Sequence, residues 1–537
     1  MNVAFDPWIP VVSVAGKPSF ASLADIFSQG DKFADLAVRP HERVSLMRLF
    51  LCVAHAALDG PKDYDEWLGI FKRLPEAAIT YLDMWKDSFD LFHPTKPWLQ
   101  IAELTGEKTS PVTLLDFEMA NGNNSTLYDH GGQLVEREVD QNKIALTLLT
   151  FQNFSSGGGS PIAQWRNVKT SQVGNPDAPC LSQSMAHCLF RGRSLTETIR
   201  LNLPTVESIK LRYKTISSVK KDKKNKITEQ LEFKDVEIGN PVWECFPCNP
   251  ASNSVQTENA TKTYLGRLVP VSRWIRLLDE RRMYCCNGFK YVTYKDGFPA
   301  EPTASVHVVT KRDAKGGEFQ EREVVKVKPT KALWRELSAL LTQRSATGLG
   351  GPLAMENVPY ESEFDFHVCA MTRDQASMDI ALESVFHISP SFQLNLGSYQ
   401  GEAQIAESIS RKLGWAIETY RKEIDGGWEG RLKGAGKNKE ELKAKLHSVA
   451  TTHYWTSVEN NLRLLFDHVE VVGTDSAVPT RIAWRNMLIS TARDAYRIAC
   501  GQETARQIRA FAKGLGKLTT NKKTIETDSA ETMEINT

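Results

Sequence analysis

The chain has 537 residues, of which 66 are lysine or arginine and 65 are aspartate or glutamate, so its formal net charge is only +1. A charge so close to neutral excludes a protein that holds a polyanion through a global positive field, and any nucleic-acid site must be a local patch. The length allows about two to four domains with sizeable apolar cores.

The amino-terminal stretch MNVAFDPWIPVV has no basic segment followed by an apolar one, and no later run reaches the roughly 18–20 apolar residues that span a bilayer. The nine cysteines are an odd number and are scattered along the chain, unlike a secreted disulfide framework. We therefore expect a soluble, cytoplasmic protein with reduced thiols and no membrane partner.

The first long element is a helix. Apolar residues recur at helical spacing in HERVSLMRLFLCVAHAAL, which predicts a buried helix over residues 41–58. Residues 61–100 continue as amphipathic helices and end at a connector that contains Pro94 and Pro97. Residues 121–141 are polar and contain glycine, which predicts a long loop, and loops of this length are usually functional or disordered.

Three consecutive glycines, Gly157, Gly158 and Gly159, follow an apolar segment in FSSGGGSPIAQW. Ordering each glycine costs about 0.5–1 kcal/mol of backbone entropy. Three in a row therefore form either a flexible hinge or a site where another backbone must approach closely. The local sequence leaves both interpretations open.

Residues 210–226, KLRYKTISSVKKDKKNK, contain eight basic residues and one acidic residue. The segments that follow, through Val327, alternate as strands do. Such a basic run is typical either of a solvated hairpin tip or of a patch that contacts phosphates, and the pattern does not choose between them.

Cys245 and Cys248 have the two-residue spacing that places two thiolates on one Zn²⁺ ion. They make half of a tetrahedral site. Cys285 and Cys286 are adjacent in the chain, and neighbouring side chains on a strand point to opposite faces and rarely ligate together. A structural zinc and two free cysteines both remain open.

The carboxyl-terminal part is helical. From about Gln404 the apolar residues recur at long helical periods in three or four segments joined by short connections, which is typical of a helical bundle. We predict an α+β protein with a large mixed α/β domain over residues 1–400, a four-helix-type bundle over 401–515, and a disordered polar tail over 516–537.

Several catalytic motifs are absent from the sequence. It contains no G-x-x-x-x-G-K-[ST], H-E-x-x-H or G-x-S-x-G pattern and no dipeptide in the order His-Asp. Their absence favours a protein without catalytic activity.

Several stretches, taken in order, resemble the CasA family, the large subunit of the type I-E CRISPR Cascade complex. They are DPWIPV, RPHERVSLMRLFLCVAHAAL, LFHPTKPWLQ, FSSGGGS, YLGRLVPVSRWIRLL, TRDQAS and the helical carboxyl terminus. The resemblance implies a non-catalytic subunit of an RNA-guided surveillance complex in antiviral defence. Such a subunit recognises the protospacer-adjacent motif (PAM) in double-stranded DNA, starts strand separation and R-loop formation, and recruits a helicase-nuclease.

The resemblance assigns two elements of PAM recognition. The glycine loop of the family corresponds to Gly157, Gly158 and Gly159, whose backbone can approach minor-groove base edges because no Cβ intervenes. The basic finger of the family, usually a lysine, corresponds to Arg273. A guanidinium has a donor geometry different from that of an ammonium, so the PAM that is read stays open.

A third element is a wedge on the segment TRDQAS. The glutamine of the family corresponds to Gln375, and Asp374 precedes it where an amide side chain is expected. A wedge under the last PAM pair must offset one stacking step, on the order of 1.4 kcal/mol, together with pairing. Arg373 beside it can hold a phosphate.

The polar loop corresponds to the family's segment that reaches the crRNA handle and neighbouring subunits, with Leu127, Tyr128 and Asp129 at the contact positions; a tyrosine can stack on a splayed base. In some family members a zinc site joins two C-x-x-C pairs, one of them in this loop, but residues 121–141 contain no cysteine here. Cys245 and Cys248 are left as the metal candidates, and no other cofactor is expected.

The implied partners are crRNA, double-stranded target DNA, the backbone, small and crRNA 5′-end subunits of Cascade, and the helicase-nuclease. The helical bundle is expected to brace the target or displaced strand. Two alternatives belong to other classes. One is a structural subunit whose basic run binds RNA or protein while the glycines act as a hinge. The other is a metal-dependent nuclease or hydrolase built around Cys245 and Cys248.

Overall fold

The computed structural model divides the chain into two compact units, residues 1–388 and residues 389–537. The predicted boundary between residues 400 and 401 lies inside a continuous helix, Leu396–Ile424, so the second unit begins earlier than the sequence indicates. The structure describes residues 1–119, 137–172, 174, 176–211, 214–221, 227–233, 237–250, 254–291, 301–312, 317–328, 331–344, 349–359, 361–374, 377–424 and 436–519.

The first unit is built around one long buried helix, α2. Its start is fixed by Pro40 in the first turn and by Glu42, whose carboxylate accepts the backbone N–H of Arg39 at 2.9 Å. The helix ends at Asp59, which has a left-handed φ of 50°. The helices of this unit are α1 (Leu23–Gln29), α2 (Pro40–Leu58), α3 (Tyr64–Gly69), α4 (Leu74–Met84), α5 (Gln141–Phe154), α6 (Leu195–Asn202), α7 (Val206–Leu211), α8 (Val255–Lys262), α9 (Tyr264–Leu268) and α10 (Leu337–Leu341).

The strands of the first unit form several small antiparallel sheets, with orders β2-β1-β3, β4-β6-β7, β11-β12-β5 and β16-β15-β8, and two hairpins, β9-β10 and β13-β14. Their bounds are β1 (Ile9–Ser13), β2 (Pro18–Ala21), β3 (Phe33–Leu36), β4 (Leu104–Gly106), β5 (Ser110–Pro111), β6 (Ala163–Trp165), β7 (Val168–Lys169), β8 (His187–Arg191), β9 (Lys214–Lys221), β10 (Ile227–Phe233), β11 (Arg273–Leu277), β12 (Arg282–Asn287), β13 (Val306–Arg312), β14 (Glu318–Val324), β15 (Phe364–Asp374) and β16 (Ser377–Ile388).

The second unit consists of helices in its described part. Their cores contain large aromatic side chains, and Phe392 stacks on Phe466 with ring centroids 5.1 Å apart. The last helix continues through Thr519, so the predicted tail is helical over 516–519, and residues 520–537 lie outside the described residues. The helices are α11 (Pro390–Leu394), α12 (Leu396–Ile424), α13 (Gly436–Asn460), α14 (Arg463–Glu470), α15 (Ala477–Ala499) and α16 (Ala505–Thr519).

The predicted fold class, a mixed α/β part followed by a helical part, is confirmed. The long helices account for most of this agreement, since their apolar faces follow the helical period read from the sequence. Within the part of the chain that the structure describes, no helix is both long enough and apolar enough to cross a bilayer.

Candidate nucleic-acid interface

The glycine loop, residues 155–160, directly follows α5, and the end of α5 and the loop pair with residues 172 and 176–180. Cys180 donates its backbone N–H to the carbonyl of Asn153 at 3.0 Å, and Ala178 donates to Ser155 at 2.9 Å. Further along, Ser160 donates its backbone N–H to Gln172 at 3.1 Å. These bonds hold the loop as one side of a short ladder, which argues against a flexible hinge.

The tip of the loop is exposed at Gly158 and Gly159. Gly158 has φ of 142°, a conformation that residues with a Cβ rarely adopt. A Cβ at Gly159 would lie 3.3 Å from the carbonyl oxygen of Gln172, a tight contact that a small shift relieves. The backbone therefore requires glycine at Gly158, and at Gly159 the loop presents a bare, exposed backbone surface.

Arg273 lies under this loop, and only 3% of its surface is exposed. Its guanidinium Nη2 donates to the carbonyls of Ser156 at 2.7 Å and Pro176 at 3.0 Å, while Nη1 donates to Ser272 at 2.7 Å. Nη2 also lies 3.4 Å from the carbonyl oxygen of Ser155. The guanidinium thus joins both sides of the ladder from below.

This placement differs from the sequence-based expectation that Arg273 is a finger inserted into a minor groove. The donors that a finger would offer to base edges are bonded here to backbone carbonyls inside the protein. Burial lowers the pKa of the Arg273 guanidinium to about 10, and the nearby carboxylate of Asp177 opposes that shift. Asp177 also accepts the backbone N–H of Gly157 at 2.8 Å, so the two charged side chains hold the loop together.

Asn287 holds the other end of the loop. Its side-chain Nδ2 donates to the carbonyl of Ser171 at 2.6 Å, and its Oδ1 accepts the hydroxyl of Ser160. Asn287 pairs directly with Arg273 in the β11–β12 register. One cross-strand pair therefore supplies both attachments. No motif or residue spacing in the sequence marks Asn287 for this role.

The strand that carries Arg273 packs tightly against its surroundings. Gln152 is fully buried and exchanges two hydrogen bonds with the backbone of Arg273, at 2.8 and 2.9 Å. A Cβ at Gly288 would lie only 2.4 Å from the carbonyl oxygen of Ser272, so this backbone approach requires glycine. The position of the Arg273 side chain is thus fixed from several directions.

A buried ionic cluster lies at the base of the loop and consists of Arg48, Glu301 and Arg267. Arg48 has no exposed surface; it forms an ion pair with Glu301 and donates its Nε to Oδ1 of Asn153 at 2.9 Å. Arg267 contacts the other carboxylate oxygen of Glu301 at 3.1 Å. Burial would raise the pKa of Glu301, but the two guanidinium groups lower it below its usual range. The cluster ties α2 to the end of α5, where the glycine loop begins.

The predicted wedge falls on the β15–β16 hairpin. The backbone of Asp374 pairs with Ser377 at the end of the two strands, and Arg373 pairs with Met378 after an irregularity in the register. Gln375 lies outside the described residues. The structure therefore gives the backbone positions of Arg373 and Asp374 and leaves the wedge a prediction.

The expected crRNA contacts Leu127, Tyr128 and Asp129 also lie outside the described residues. Within the basic run, the described residues Lys214–Lys221 form β9, which pairs with β10 in antiparallel register from Lys214↔Phe233 to Lys221↔Ile227. This agrees with a hairpin at that position, and the choice between solvated tip and phosphate patch stays open.

Cys245 is half-buried, Cys248 is exposed, and neither forms a disulfide. Burial, with Glu244 and Cys248 nearby, raises the pKa of the Cys245 thiol, which disfavours the thiolate that a metal requires. Among the residues that the structure describes, no group of three or more His, Cys, Asp or Glu side chains could hold a metal ion. The described donor set therefore does not fit a tetrahedral zinc site.

Comparison with known proteins gives one consistent family. The family described as CRISPR-associated protein Cse1 matches residues 2–495. The CRISPR-associated protein CasA/Cse1 of Thermus thermophilus is 27% identical over 549 aligned positions, covering 96% of this chain and 95% of that protein.

Solved structures agree with this in fold. A crystal structure of Thermus thermophilus CasA has a TM-score of 0.69 at 22% identity and covers 96% of this chain and 98% of its own. A chain of a structure titled CRISPR RNA-guided surveillance complex has a TM-score of 0.71 at 17% identity, with 97% and 99% covered. At these identities the likeness concerns the fold.

Proposed function

The chain belongs to the CRISPR-associated Cse1 family, and from that premise we propose that it is the large, non-catalytic subunit of an RNA-guided surveillance complex of the Cascade type. In this role it recognises the PAM in double-stranded target DNA, initiates strand separation and recruits a helicase-nuclease. Its partners are crRNA, the other Cascade subunits and the target duplex. Base pairing with the guide reads the remaining sequence.

One observation supports DNA recognition above the others: the exposed backbone at Gly158 and Gly159 is held in a defined shape by bonds from beneath. A minor groove about 6 Å wide admits a backbone without side chains more readily than a substituted one. A preorganised loop also avoids the ordering cost that a flexible hinge meets on binding. These features fit a loop that reads the minor-groove edge of a short duplex motif.

The hairpin that carries Arg373, Asp374 and Gln375 is the proposed wedge. Its strands pair as far as Asp374 and Ser377, and Gln375 follows Asp374 directly in the sequence. A rigid hairpin can deliver a side chain under the last PAM pair, where it substitutes for the lost stacking. Leu127, Tyr128 and Asp129 remain the proposed contacts with the crRNA handle or a neighbouring subunit.

The test is target binding by a crRNA-guided backbone complex, with and without this protein, on duplexes that differ only in the PAM. We expect the protein to confer PAM-dependent affinity. The variant Gly158→Asp should abolish that dependence. Its assembly with the crRNA complex, as measured by size-exclusion chromatography, should be unchanged. If the protein adds no PAM-dependent affinity, a structural assembly role replaces DNA recognition.

We also propose that the protein needs no cofactor and cleaves no DNA by itself. The donor set around Cys245 and Cys248, which lacks further ligands among the described residues, is compatible with this proposal. The measurement is elemental analysis of the purified protein, followed by incubation with duplex DNA and Mg²⁺ or Mn²⁺. Stoichiometric zinc that is lost in Cys248→Ser, or metal-dependent cleavage, would contradict the proposal.

A further inference from the structure

We propose that Arg273 and Asn287 are positioning residues: they act on DNA only through the glycine loop, whose two ends they hold in the shape that reads the PAM. The inference deepens the proposed function and rests on it for the DNA step. That the two residues hold the loop is inferred from the contacts in the free protein alone.

The geometry of Arg273 favours positioning over direct contact. Its fork bonds to the carbonyls of Ser156, Pro176 and Ser272, each within 3.0 Å, and the residue is almost completely buried. To reach a base edge the side chain would have to break these bonds. The buried carbonyl of Ser272 and the partly buried carbonyls of Ser156 and Pro176 would then lose this donor, which is unfavourable.

Asn287 complements Arg273 at the opposite end of the loop. It joins Ser160 to Ser171, whereas Arg273 joins Ser156 to Pro176. The exposed glycines lie between these two attachments. Because Arg273 and Asn287 are direct partners across β11 and β12, any movement of this strand pair moves both ends of the loop together.

A direct contact and a positioning role predict different results for Arg273→Lys. Lysine keeps the positive charge, but its single ammonium cannot reproduce a planar fork that bonds three carbonyls. If Arg273 contacts DNA by charge, the substitution retains most of the binding. If it positions the loop, the substitution acts like the removal of one attachment, and Asn287→Ala has a similar effect although it changes no charge.

The matched control is Arg276→Lys. Arg276 lies on the same strand and donates to a single carbonyl, that of Leu104 at 3.2 Å, which a lysine can replace. Arg276 takes no part in the hydrogen bonds described above that hold the glycine loop. Its substitution should therefore leave both readouts below unchanged.

The first readout is amide hydrogen exchange in the free protein, at Gly157 and Ser160. Both N–H groups bond to the opposing segment, so loosening either attachment exposes them. We expect exchange to rise by about tenfold or more in Arg273→Lys and Asn287→Ala. Unchanged protection in both variants would overturn the inference, whatever happens to DNA binding. Asn287 is only half-buried, so its variant provides the test if Arg273→Lys does not fold.

The second readout is target binding by the assembled complex as a function of salt. A side chain that neutralises a phosphate contributes about 0.9 to the slope of log K against log salt. We expect PAM discrimination to fall by about tenfold in both variants while this slope keeps its wild-type value. Wild-type discrimination and binding in Arg273→Lys, together with intact discrimination in Asn287→Ala, would show direct contact by charge and overturn the inference. Absent PAM discrimination in the wild type would refute the proposed function and leave the exchange result to decide whether the loop is held as described.

Discussion

The glycine loop allows a prediction that separates backbone strain from contact with DNA, through the two substitutions Gly158→Ala and Gly159→Ala. Gly158 has φ of 142°, in a region that is strained for alanine at a cost on the order of 1–3 kcal/mol. Gly159 has no such φ, and its added Cβ meets only the carbonyl of Gln172, at 3.3 Å. The two neighbouring positions therefore differ in strain although both are exposed.

The stability part of the prediction follows from this difference. If the loop keeps its shape, Gly158→Ala should lower the free energy of unfolding by about 1–3 kcal/mol. Gly159→Ala should change it by less than about 1 kcal/mol, because a tight contact is offset by the reduced entropy of the unfolded chain. Urea titrations monitored by tryptophan fluorescence measure both free energies. The two values can be compared if the m-value is the same in both variants.

The affinity part depends on the proposed close approach to the duplex. A methyl group at either glycine should weaken binding to a PAM-containing target, since it occupies space that the backbone leaves to the DNA. If the loop of Gly158→Ala instead relieves its strain by rearranging in the free protein, the same cost of about 1–3 kcal/mol appears on binding rather than in stability, and it corresponds to about 5- to 150-fold in affinity.

Two results would refute this reasoning. Equal destabilisation by Gly158→Ala and Gly159→Ala would show that φ at Gly158 does not set the requirement for glycine. Wild-type affinity of Gly159→Ala for a PAM-containing duplex would show that the backbone at this position does not approach DNA closely. The affinity measurement uses the assembled complex and a duplex without PAM as its baseline.

The buried cluster gives two further predictions. Glu301→Gln should lower the free energy of unfolding by about 3–5 kcal/mol, because it leaves Arg48 and Arg267 buried without their carboxylate. The exposed ion pair Glu103–Arg166 offers a control: Glu103→Gln should change the free energy of unfolding little. Because the folded-state pKa of Glu301 lies below its usual value of 4.5, the stabilisation is complete above that pH and is lost as the pH falls through the folded-state pKa. Urea midpoints between about pH 7 and pH 3 should therefore fall more steeply in the wild type than in Glu301→Gln, and parallel curves would contradict the assignment.

The sequence predicts the long helices well because their packing imposes a period. The helix predicted over 41–58 is observed as Pro40–Leu58, and the capping residues account for the extra residue at its start. In the second unit the period is continuous through residue 470, whereas the chain turns between Asn460 and Arg463 and forms two helices. Apolar periodicity carries no information about such a break, which depends on local polar residues and on the packing of both segments.

The strands were harder to predict, because most of the sheets are small. Strands of two to five residues, such as Ser110–Pro111 and Ala163–Trp165, are too short to show an alternating pattern. Their positions depend on partners far away in the chain. The direct pairing of Arg273 with Asn287 is one example, and no spacing rule identifies it.

Arg273 shows that residue type alone does not indicate burial. A basic residue in a family with a basic finger suggests contact with DNA, yet the strand Arg273–Leu277 is almost entirely buried. Its sequence context offered a signal in the apolar run that surrounds it, YLGRLVPVSRWIRLL. An arginine inside an apolar run must find internal acceptors, since an unpaired buried charge is strongly unfavourable. Here those acceptors are the carbonyls on both sides of the glycine loop.

This arrangement solves a physical problem that three consecutive glycines create. Glycine lets the backbone come close to another molecule, but it also lets the loop adopt many conformations. Restricting the loop to one conformation on binding costs conformational entropy. Side chains within the loop cannot provide that order, because they would occupy the space that the glycines keep open. The order has to come from residues beneath the loop, and Arg273 bonds to Ser156 across 117 positions of sequence. In the proposed function the loop reads DNA with its backbone, and its order then depends on buried polar side chains that need not touch the DNA.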